Sequence, residues 1–235
     1  MNVPAILHED EQLLVLAKPA GMHVFPSSGS AATTLSGWLL EQRPALAGVG
    51  PPGQPALVHR LDGGTSGLVL AAANSDSYSQ LRQAFAGGQV EKVYLAVVQG
   101  RLDGRREIDL PLGGRYRRSR RVWVDNGSRR LRGVRPARTL VEALASNGQL
   151  TLCRVVIHSG ARHQIRAHLA HLGHPLLSDT LYGGEPGWGR AAGGFLLHAW
   201  RLGFVHPGDG GRREITCPPG GDWQMLLDKA GLAVL

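Results

Sequence analysis

Short apolar runs separated by turn-forming residues recur along this 235-residue chain, which is typical of β-strands. Strand-like runs outnumber helix-like runs, and several neighbours are joined by short turns such as Ser146-Asn147-Gly148. The predicted strands are Ala5–Leu7, Leu13–Ala17, Leu68–Ala72, Val93–Gln99, Arg138–Leu144, Leu150–His158, Phe195–Val205 and Glu214–Thr216. This pattern predicts an α+β fold with a mixed, mostly antiparallel central sheet flanked by helices.

Four segments have the apolar spacing of amphipathic helices. They are Thr33–Arg43, a segment from Asn74, Ser75 or Asp76 to Phe85, His163–Leu172 and Trp223–Lys229. Thr33 or Thr34 can cap the first helix, and Pro44 ends it. The second stops at Gly87-Gly88 and the third at Gly173, because glycine readily adopts the left-handed conformation that follows many helices.

The length and composition fit one globular domain over residues 1–235. Hydrophobic residues make up 43% of the chain, and no linker or 20–50-residue repeat divides it. The two cysteines, Cys153 and Cys217, argue against a disulfide framework and fit a reducing compartment. The polar run His8–Glu11 interrupts any signal peptide, and no stretch approaches the roughly 18 apolar residues of a membrane helix. We therefore expect a cytoplasmic monomer without membrane contact.

The net charge of +8 is concentrated in one place. Segment 101–138 holds 13 arginines, no lysine and four acidic residues, which leaves a charge of −1 on the rest of the chain. A guanidinium pairs with two phosphate oxygens at once, so this arginine segment, an excursion from the domain, favours nucleic acid as the partner. The alternative is a solvated loop that only raises solubility.

Three glycine-rich motifs do not support a nucleotide cofactor or a serine nucleophile. Gly48–Gly53 matches the dinucleotide fingerprint only formally, since two prolines stand where backbone donors should meet pyrophosphate. Gly63–Gly67 lacks the Gly-Lys-Ser/Thr ending of a phosphate-binding loop. Ser66 is followed directly by glycine, which does not fit a nucleophile elbow.

A group of histidines raises the question of a metal site. His168 and His171 are three residues apart and could share a helix face, with Asp179 as a third ligand, while His163 and His174 lie nearby. The spacing does not require these side chains to converge. We expect no metal, and histidines on a helix that faces RNA are the preferred interpretation.

Several short motifs occur in an order that one enzyme family uses. They are Lys18-Pro19-Ala20-Gly21, the run His59–Leu68 around Asp62, Lys92-Val93-Tyr94, His163–Leu169, Ser178–Gly183, Leu197–Leu202 and Phe204–Pro207. Together they resemble the RluA family of RNA pseudouridine synthases, from about Ile6 to about Pro218. The resemblance implies the pseudouridine synthase catalytic fold and the isomerisation of uridine in ribosomal or transfer RNA.

By that resemblance, Asp62 is the catalytic aspartate. It must be ionised, whether it adds to the anomeric carbon or removes the ribose 2′ proton, and both alternatives remain open. Arg166 matches the arginine that faces this carboxylate, since a neighbouring guanidinium favours the charged form. Tyr94 matches the tyrosine that lies against the uracil and takes its carbon-5 proton. The reaction has no redox step, so the resemblance implies no cofactor.

Other positions are candidates for RNA contact. Arg60 matches an arginine that fills the space of a flipped base, and Lys18 either anchors phosphate or forms a local salt bridge. The candidate RNA-binding residues are Arg60, His59, Lys18, Arg162, His163, Arg117, Arg118, Arg120 and Arg121. The chain departs from the family where Ala161 replaces an arginine, which threatens substrate grip rather than catalysis. Because the chain begins with the catalytic strands, we expect RNA selection to rest on this domain.

Two other functions compete with the isomerase. One is a catalytically silent RNA-binding protein, although binding alone does not require Asp62, Tyr94 and Arg166 together. The other is a metal-dependent RNA hydrolase built on the histidines.

Overall fold

The computed structural model of this chain describes residues 3–26, 33–116, 119–186 and 194–232. Over these ranges the strands are β1 (Ala5–Glu9), β2 (Leu13–Lys18), β3 (Ser66–Ala72), β4 (Glu91–Gln99), β5 (Arg105–Asp109), β6 (Leu112–Gly114), β7 (Val122–Val124), β8 (Arg132–Arg135), β9 (Arg138–Ser146), β10 (Leu150–Ile157), β11 (Leu197–Val205) and β12 (Arg212–Thr216). The helices are α1 (Leu35–Gln42), α2 (Ser75–Ala86), α3 (Gln164–His171) and α4 (Gly221–Lys229), with a short 3-10 helix at Pro44–Gly48.

The chain divides into two compact units. Unit 1 comprises Met1–Glu91 and Ala199–Pro218, and unit 2 comprises Lys92–His198 and Pro219–Leu235. The expectation of one domain over residues 1–235 stays a prediction. In the part of the chain that is described, no helix is both long enough and apolar enough to cross a bilayer.

Unit 1 is built on β1, β2 and β3, which run antiparallel in that order, with the larger part of β11 beside β3 and β12 along β11. Leu13–Leu16 and Leu68–Ala72 are almost fully buried, so these strands supply the core of the unit. Helix α2 packs against β3. In the register of β2 on β3, Lys18 pairs with Gly67 at the end where the chain enters β3.

The described strands of unit 2 belong to two sheets. In the first, β4, β10, β9 and β5 are antiparallel neighbours, and Tyr94 lies opposite Val155. The second is a small antiparallel sheet with β6 between β7 and β8. Helix α3 packs against β7 and β9. The described residues of the arginine segment include strands β5 to β8, which the sequence did not predict because β5 and β8 are highly charged and β6 and β7 are only three residues long.

The predicted fold class is confirmed, and most predicted elements recur within a few residues. The caps are among those expected: Thr34 Oγ1 accepts a hydrogen bond from Gly37 N, and Asn74 Oδ1 accepts one from Ser77 N. Each satisfies a donor that the first turn of a helix leaves unpaired.

Candidate active site

Asp62 lies in unit 1 on a tight turn that leads into β3. Its backbone carbonyl accepts a hydrogen bond from Thr65 N at 3.0 Å, which closes the turn. The next carbonyl, that of Gly63, accepts one from Gly21 N at 2.8 Å. Gly67, the second residue of β3, has φ +107, and a Cβ there would lie 2.2 Å from the carbonyl oxygen of Ala199, so glycine is required. The turn thereby holds the half-buried Asp62 in a defined place.

Lys18 fixes this turn from the interior. It is 2% exposed, and its Nζ donates to the carbonyls of Pro19, Met22 and Gly63 at 2.8, 2.7 and 3.2 Å. Burial lowers the pKa of Lys18 to about 7, and the negative charge of Asp62 opposes that shift. These hydrogen bonds go to backbone carbonyls, so both interpretations of Lys18, phosphate contact and a local salt bridge, stay predictions.

His59 and Arg60 precede Asp62 and differ in exposure. The Nε2 of His59 accepts a hydrogen bond from Leu70 N at 2.9 Å, and its ring stacks on Phe85 with centroids 4.3 Å apart. His59 therefore joins the turn to β3 and α2. Arg60 is exposed, which suits its predicted contact with RNA.

Tyr94 lies within unit 2, on β4. It is 7% exposed, and its neighbours along the strand are buried as well. Arg166 belongs to the same unit and stands on α3. The ion pair predicted between Arg166 and Asp62 stays a prediction.

Arg166 makes a two-pronged ion pair with Asp179. Its Nε donates to Oδ2 at 2.6 Å and its Nη2 to Oδ1 at 2.8 Å, and both side chains are almost fully buried. The guanidinium also lies over the rings of Phe195 and Tyr182, 4.3 and 5.0 Å from their centroids. Such parallel hydrogen bonds restrict the orientation of a guanidinium, so Asp179 fixes how Arg166 is presented.

The turn around Asp179 explains the motif Ser178–Gly183. The carbonyl of Asp179 accepts hydrogen bonds from Tyr182 N at 3.0 Å and Gly184 N at 2.8 Å. A Cβ at Gly184 would lie 2.2 Å from Leu176 O, so the turn can close this tightly only with glycine there. The sequence motif thus encodes the carboxylate that holds Arg166.

Tyr182 connects α3 to the small sheet. Burial raises the pKa of Tyr182 to about 12, so its phenol is protonated. The phenol oxygen accepts a hydrogen bond from Val122 N at 3.0 Å and lies 3.0 Å from Nδ1 of His163. The hydrogen bond between the Tyr182 phenol and Nδ1 restrains the orientation of the His163 ring. His163 has φ 54, a left-handed conformation directly before α3.

Gln164 organises the loop that contains the departure from the family. Its Oε1 accepts from Ser159 Oγ and from Ala161 N, and its Nε2 donates to Arg138 O and Thr139 Oγ1. Ala161 packs on a buried cluster formed by Leu112, Val122, Ala137, Ala167 and Tyr182. Alanine at this position therefore contributes to the core of unit 2.

The arginines of the candidate set occupy different environments. The exposed Arg162 donates to the backbone carbonyl of Ser119. The guanidinium of Arg121 lies 4.1 Å from the ring centroid of Trp123 and 4.9 Å from that of Tyr182, which favours packing over phosphate contact. Arg120 is exposed. Arg117 and Arg118 lie outside the described residues.

The side chains considered for a metal site have other partners. The Nδ1 of His168 lies 2.8 Å from Thr139 Oγ1, and its Nε2 lies 2.9 Å from Leu110 O. Both oxygens of Asp179 bind Arg166. Within the described ranges, no three His, Cys, Asp or Glu side chains are grouped as metal ligands would be. The sequence offers Asp179 as a possible metal ligand and as part of the motif Ser178–Gly183, but it does not predict the ion pair with Arg166, for which that motif is the available signal.

A family model described as RNA pseudouridylate synthase matches residues 12–171. An uncharacterized RNA pseudouridine synthase of Chloroflexus aurantiacus is 39% identical over 211 residues, 89% of this chain and 64% of the relative. Ribosomal large subunit pseudouridine synthase D of Zymomonas mobilis is 33% identical over 94% of this chain and 71% of the relative. The enzyme of the same name in Nitrosomonas europaea is 35% identical, and this chain spans 59% of its length.

Two human structures share the fold. Human RNA Pseudouridylate Synthase Domain Containing 4 aligns with a TM-score of 0.77 at 23% identity, over 97% of this chain and 94% of that one. Human RNA Pseudouridylate Synthase Domain Containing 1 aligns with a TM-score of 0.74 at 23% identity, over 92% of this chain and 84% of that one. These alignments confirm the predicted catalytic fold.

Proposed function

This chain belongs to the RNA pseudouridylate synthase family, and from that premise we propose that it isomerises uridine to pseudouridine in structured RNA. The observation that carries the proposal is the family match over residues 12–171, which includes Asp62, Tyr94 and Arg166. Two relatives are named as ribosomal large subunit enzymes. We therefore take large-subunit ribosomal RNA as the first candidate substrate and transfer RNA as the alternative.

The chemistry is balanced without an added reactant. The bond from the ribose anomeric carbon to N1 of uracil breaks, and a bond from the same carbon to C5 forms. One proton leaves C5 and one arrives at N1, so atoms and electrons are conserved. The protein's task is to hold the detached base, exclude water and move these protons.

Asp62 is assigned the step at the ribose, either addition to the anomeric carbon or removal of the 2′ proton. The turn that contains Asp62 supports this assignment. The hydrogen bond from Thr65 N closes the turn, and Lys18 donates to the carbonyl of Gly63, so the carboxylate has a restricted position. Arg166 is assigned to face that carboxylate. Its rigid pairing with Asp179 supports such a role, because a fixed charge needs no reorganisation during the reaction.

Tyr94 is assigned contact with the uracil and removal of its C5 proton. A tyrosine phenol can serve as a general base within hydrogen-bond reach of the proton. Its place on β4, a strand paired along its length with β10, supports a well-defined ring position.

Arg60 is assigned to the space that the flipped uridine leaves. Extrusion of a paired base costs a few kcal/mol, and an inserted guanidinium offsets part of this cost. We predict that Arg60→Ala slows turnover more for uridines in a duplex than for unpaired ones, because only the former must be extracted from a stack. Single-turnover rates on a hairpin and on its unpaired counterpart measure this. Equal slowing on both would contradict a flipping role.

We further propose that RNA is contacted through the exposed arginines of the arginine segment and Arg162, and that the protein acts as a cytoplasmic monomer. The concentration of charge in segment 101–138 supports the first point. Sedimentation at micromolar concentration tests the second, and a concentration-dependent dimer would contradict it.

The decisive experiment replaces Asp62 by asparagine. With transcripts that carry tritium at C5 of uridine, isomerisation releases tritium to water. Asp62→Asn should reduce this release by at least about a thousandfold, because the chemical step loses its carboxylate. RNA affinity should stay within a few-fold, since Asp62 is assigned to chemistry and not to binding. The matched control is Asp76→Asn, which removes an exposed carboxylate from the first turn of α2 in the same unit.

The same assay separates the two rival functions. A silent RNA-binding protein would release no tritium from any RNA and would be indifferent to Asp62→Asn. A metal-dependent hydrolase would lose its activity in excess chelator and would shorten the RNA. Full tritium release in chelator, with intact RNA, is the expected result.

A further inference from the structure

A groove within unit 2 contains three of the exposed arginines that are proposed above to contact RNA, Arg132, Arg135 and Arg162, and its shape indicates what it binds. It lies between the small sheet and the loop that precedes α3, and its volume is about 590 Å³. That volume is within the roughly 300–1,000 Å³ of sites for small ligands. None of Asp62, Tyr94 and Arg166 is among the residues that line it.

Glycine backbone forms part of the groove surface. Gly133 on β8 and Gly160 in the opposite loop both line it, and a Cβ at either position would meet nothing within 4 Å. Gly133 has φ +59, a conformation that side chains disfavour. The backbone is therefore bare at these positions, and a ligand can approach it closely.

The charged groups of the groove all have one sign. Arg132 and Arg135 on β8 and Arg162 on the opposite side are exposed, and every charged side chain among the described lining residues is an arginine. One guanidinium group can donate hydrogen bonds to two oxygens of the same phosphate. A phosphate in this groove could be approached by arginines from both sides.

An exposed aromatic ring lies among these charges. Tyr116 lines the groove and is 69% exposed. Its backbone is fixed, because Tyr116 N donates to Ser119 Oγ at 2.7 Å and Ser119 N donates to Tyr116 O at 3.1 Å. The Ser119 carbonyl in turn accepts from Arg162. An exposed aromatic face beside guanidinium groups is typical of proteins that stack an unpaired base and hold its phosphate.

We propose that this groove binds one unpaired nucleotide of the RNA substrate other than the uridine that reacts. Its base stacks on Tyr116, and its phosphate is held by Arg132 and Arg135. The proposal rests on the function proposed above and adds to it a specificity site: the RNA must present a second flexible nucleotide, as in a loop or bulge. A paired nucleotide lacks the free face that Tyr116 requires.

The test uses a ligand that the enzyme cannot isomerise. A fluorescein-labelled oligoadenylate of six nucleotides contains no uridine, and its fluorescence anisotropy reports binding to the full chain. Tyr116→Ala should weaken binding about tenfold, whereas Tyr116→Phe should keep it, because the loss of one stacked base is typically of that size or larger. Unchanged affinity in Tyr116→Ala would overturn the stacking assignment.

The proposed phosphate contacts of Arg132 and Arg135 are tested by neutral substitutions, with a second pair of arginines as the control. Replacement of both Arg132 and Arg135 by Gln should weaken binding and reduce the slope of log affinity against log salt by about 0.7 for each lost phosphate contact. The control replaces the exposed pair Arg212 and Arg213 on β12 by Gln, with the same charge change and an expected effect below about twofold. Equal weakening by both double variants would show a general charge effect and would overturn the assigned phosphate contact.

Competition distinguishes a nucleotide site from a simple anion site. Adenosine monophosphate should displace the probe at concentrations at least about tenfold lower than inorganic phosphate, since only the nucleotide can stack. If adenosine monophosphate and inorganic phosphate displaced the probe at equal concentrations, the groove would be an anion site, and the proposed nucleotide binding would be wrong. Binding that depends on Tyr116, together with no tritium release from any RNA, would uphold the groove and reject the isomerase. If tritium is released but probe binding does not depend on Tyr116, the isomerase is upheld and the groove assignment is rejected.

Discussion

At the scale of single residues, the same residue type performs different tasks according to its surroundings. Arg60 and Arg120 are exposed, Arg121 is held between two aromatic rings, and Arg166 is buried against a carboxylate. The sequence predicted all four as functional positions on motif or charge grounds. In the structure, the exposed Arg60 and Arg120 can be reached by RNA. Arg121 and Arg166 instead pack against other side chains of the protein.

Lys18 is the residue whose environment departs most from its sequence appearance. A lysine in a strand end is usually solvated, yet Lys18 is almost fully buried with three carbonyl partners. Because burial lowers its pKa to about 7, the folded protein releases a proton that the unfolded chain keeps up to pH about 10. Between these values the unfolded state binds more protons, so stability rises with pH.

We predict that the free energy of unfolding increases between pH 7.0 and 8.5, with about 1 kcal/mol of the rise due to Lys18. Lys92, whose pKa burial lowers to about 8, contributes in the same direction. Urea denaturation at both pH values measures the rise. The Lys18→Met variant should be less stable than the original protein at both pH values. Its free energy of unfolding should also rise less between pH 7.0 and 8.5, because the contribution of Lys18 is missing. If the free energy of unfolding of Lys18→Met rose with pH as much as that of the original protein, Lys18 would not be the source of the rise.

At the scale of elements, the contact between α3 and the turn after it decides how Arg166 is presented. Arg166 and Asp179 are 13 residues apart and pair through two hydrogen bonds in the interior. Tyr182 covers the guanidinium and bonds both β7 and His163. The helix, turn and small sheet thus form one connected group around Arg166.

We predict that Asp179→Asn lowers the free energy of unfolding by about 3–5 kcal/mol, because a buried arginine then keeps only a neutral partner. Chemical denaturation measures the loss. Where the variant still folds, tritium release should fall more than RNA affinity, since Arg166 loses its fixed orientation. The matched control is Asp125→Asn, which removes a partly exposed carboxylate of the same unit. Similar stability losses in both variants would contradict the special role of Asp179.

At the scale of the whole molecule, charge is distributed unevenly along the chain. Segment 101–138 carries a charge of +9 and the remainder −1, and the segment lies within unit 2. This distribution predicts RNA binding that weakens steeply with salt, because each phosphate contact releases counterions. The arginines of the segment do not contribute equally, since some are engaged by the fold.

We predict that Arg120→Ala reduces the slope of log affinity against log salt by up to about 0.9, the value for one phosphate contact. Arg121→Ala should leave that slope nearly unchanged and should instead lower stability by about 1–2 kcal/mol through loss of two cation–π contacts. Each variant serves as the control for the other. Filter binding from 50 to 200 mM salt measures the slopes, and equal slopes and stabilities in the two variants would contradict the distinction.

Much of the fold was predictable because its determinants are local. Apolar runs located β2, β3, β4 and β10, and side chains that cap backbone donors marked the starts of α1 and α2. Strands β5 to β8 were missed: β5 and β8 are rich in arginine, and β6 and β7 have only three residues each, so none of them shows an apolar period. The sequence likewise did not predict that both carboxylate oxygens of Asp179 bind Arg166, because this contact joins α3 to the turn after it.

The sequence by itself determined the strands and helices, the glycines that close the turn at Asp62, the concentration of arginine and the family. These depend on nearest neighbours, composition and motif order, all of which can be read along the chain. Only the tertiary structure decided that Asp179 holds Arg166, that Lys18 is buried beneath the Asp62 turn, that Arg121 packs between rings, and that Tyr116 and three arginines share a groove. Those outcomes depend on contacts between distant segments, where burial and competition among partners determine what each side chain does.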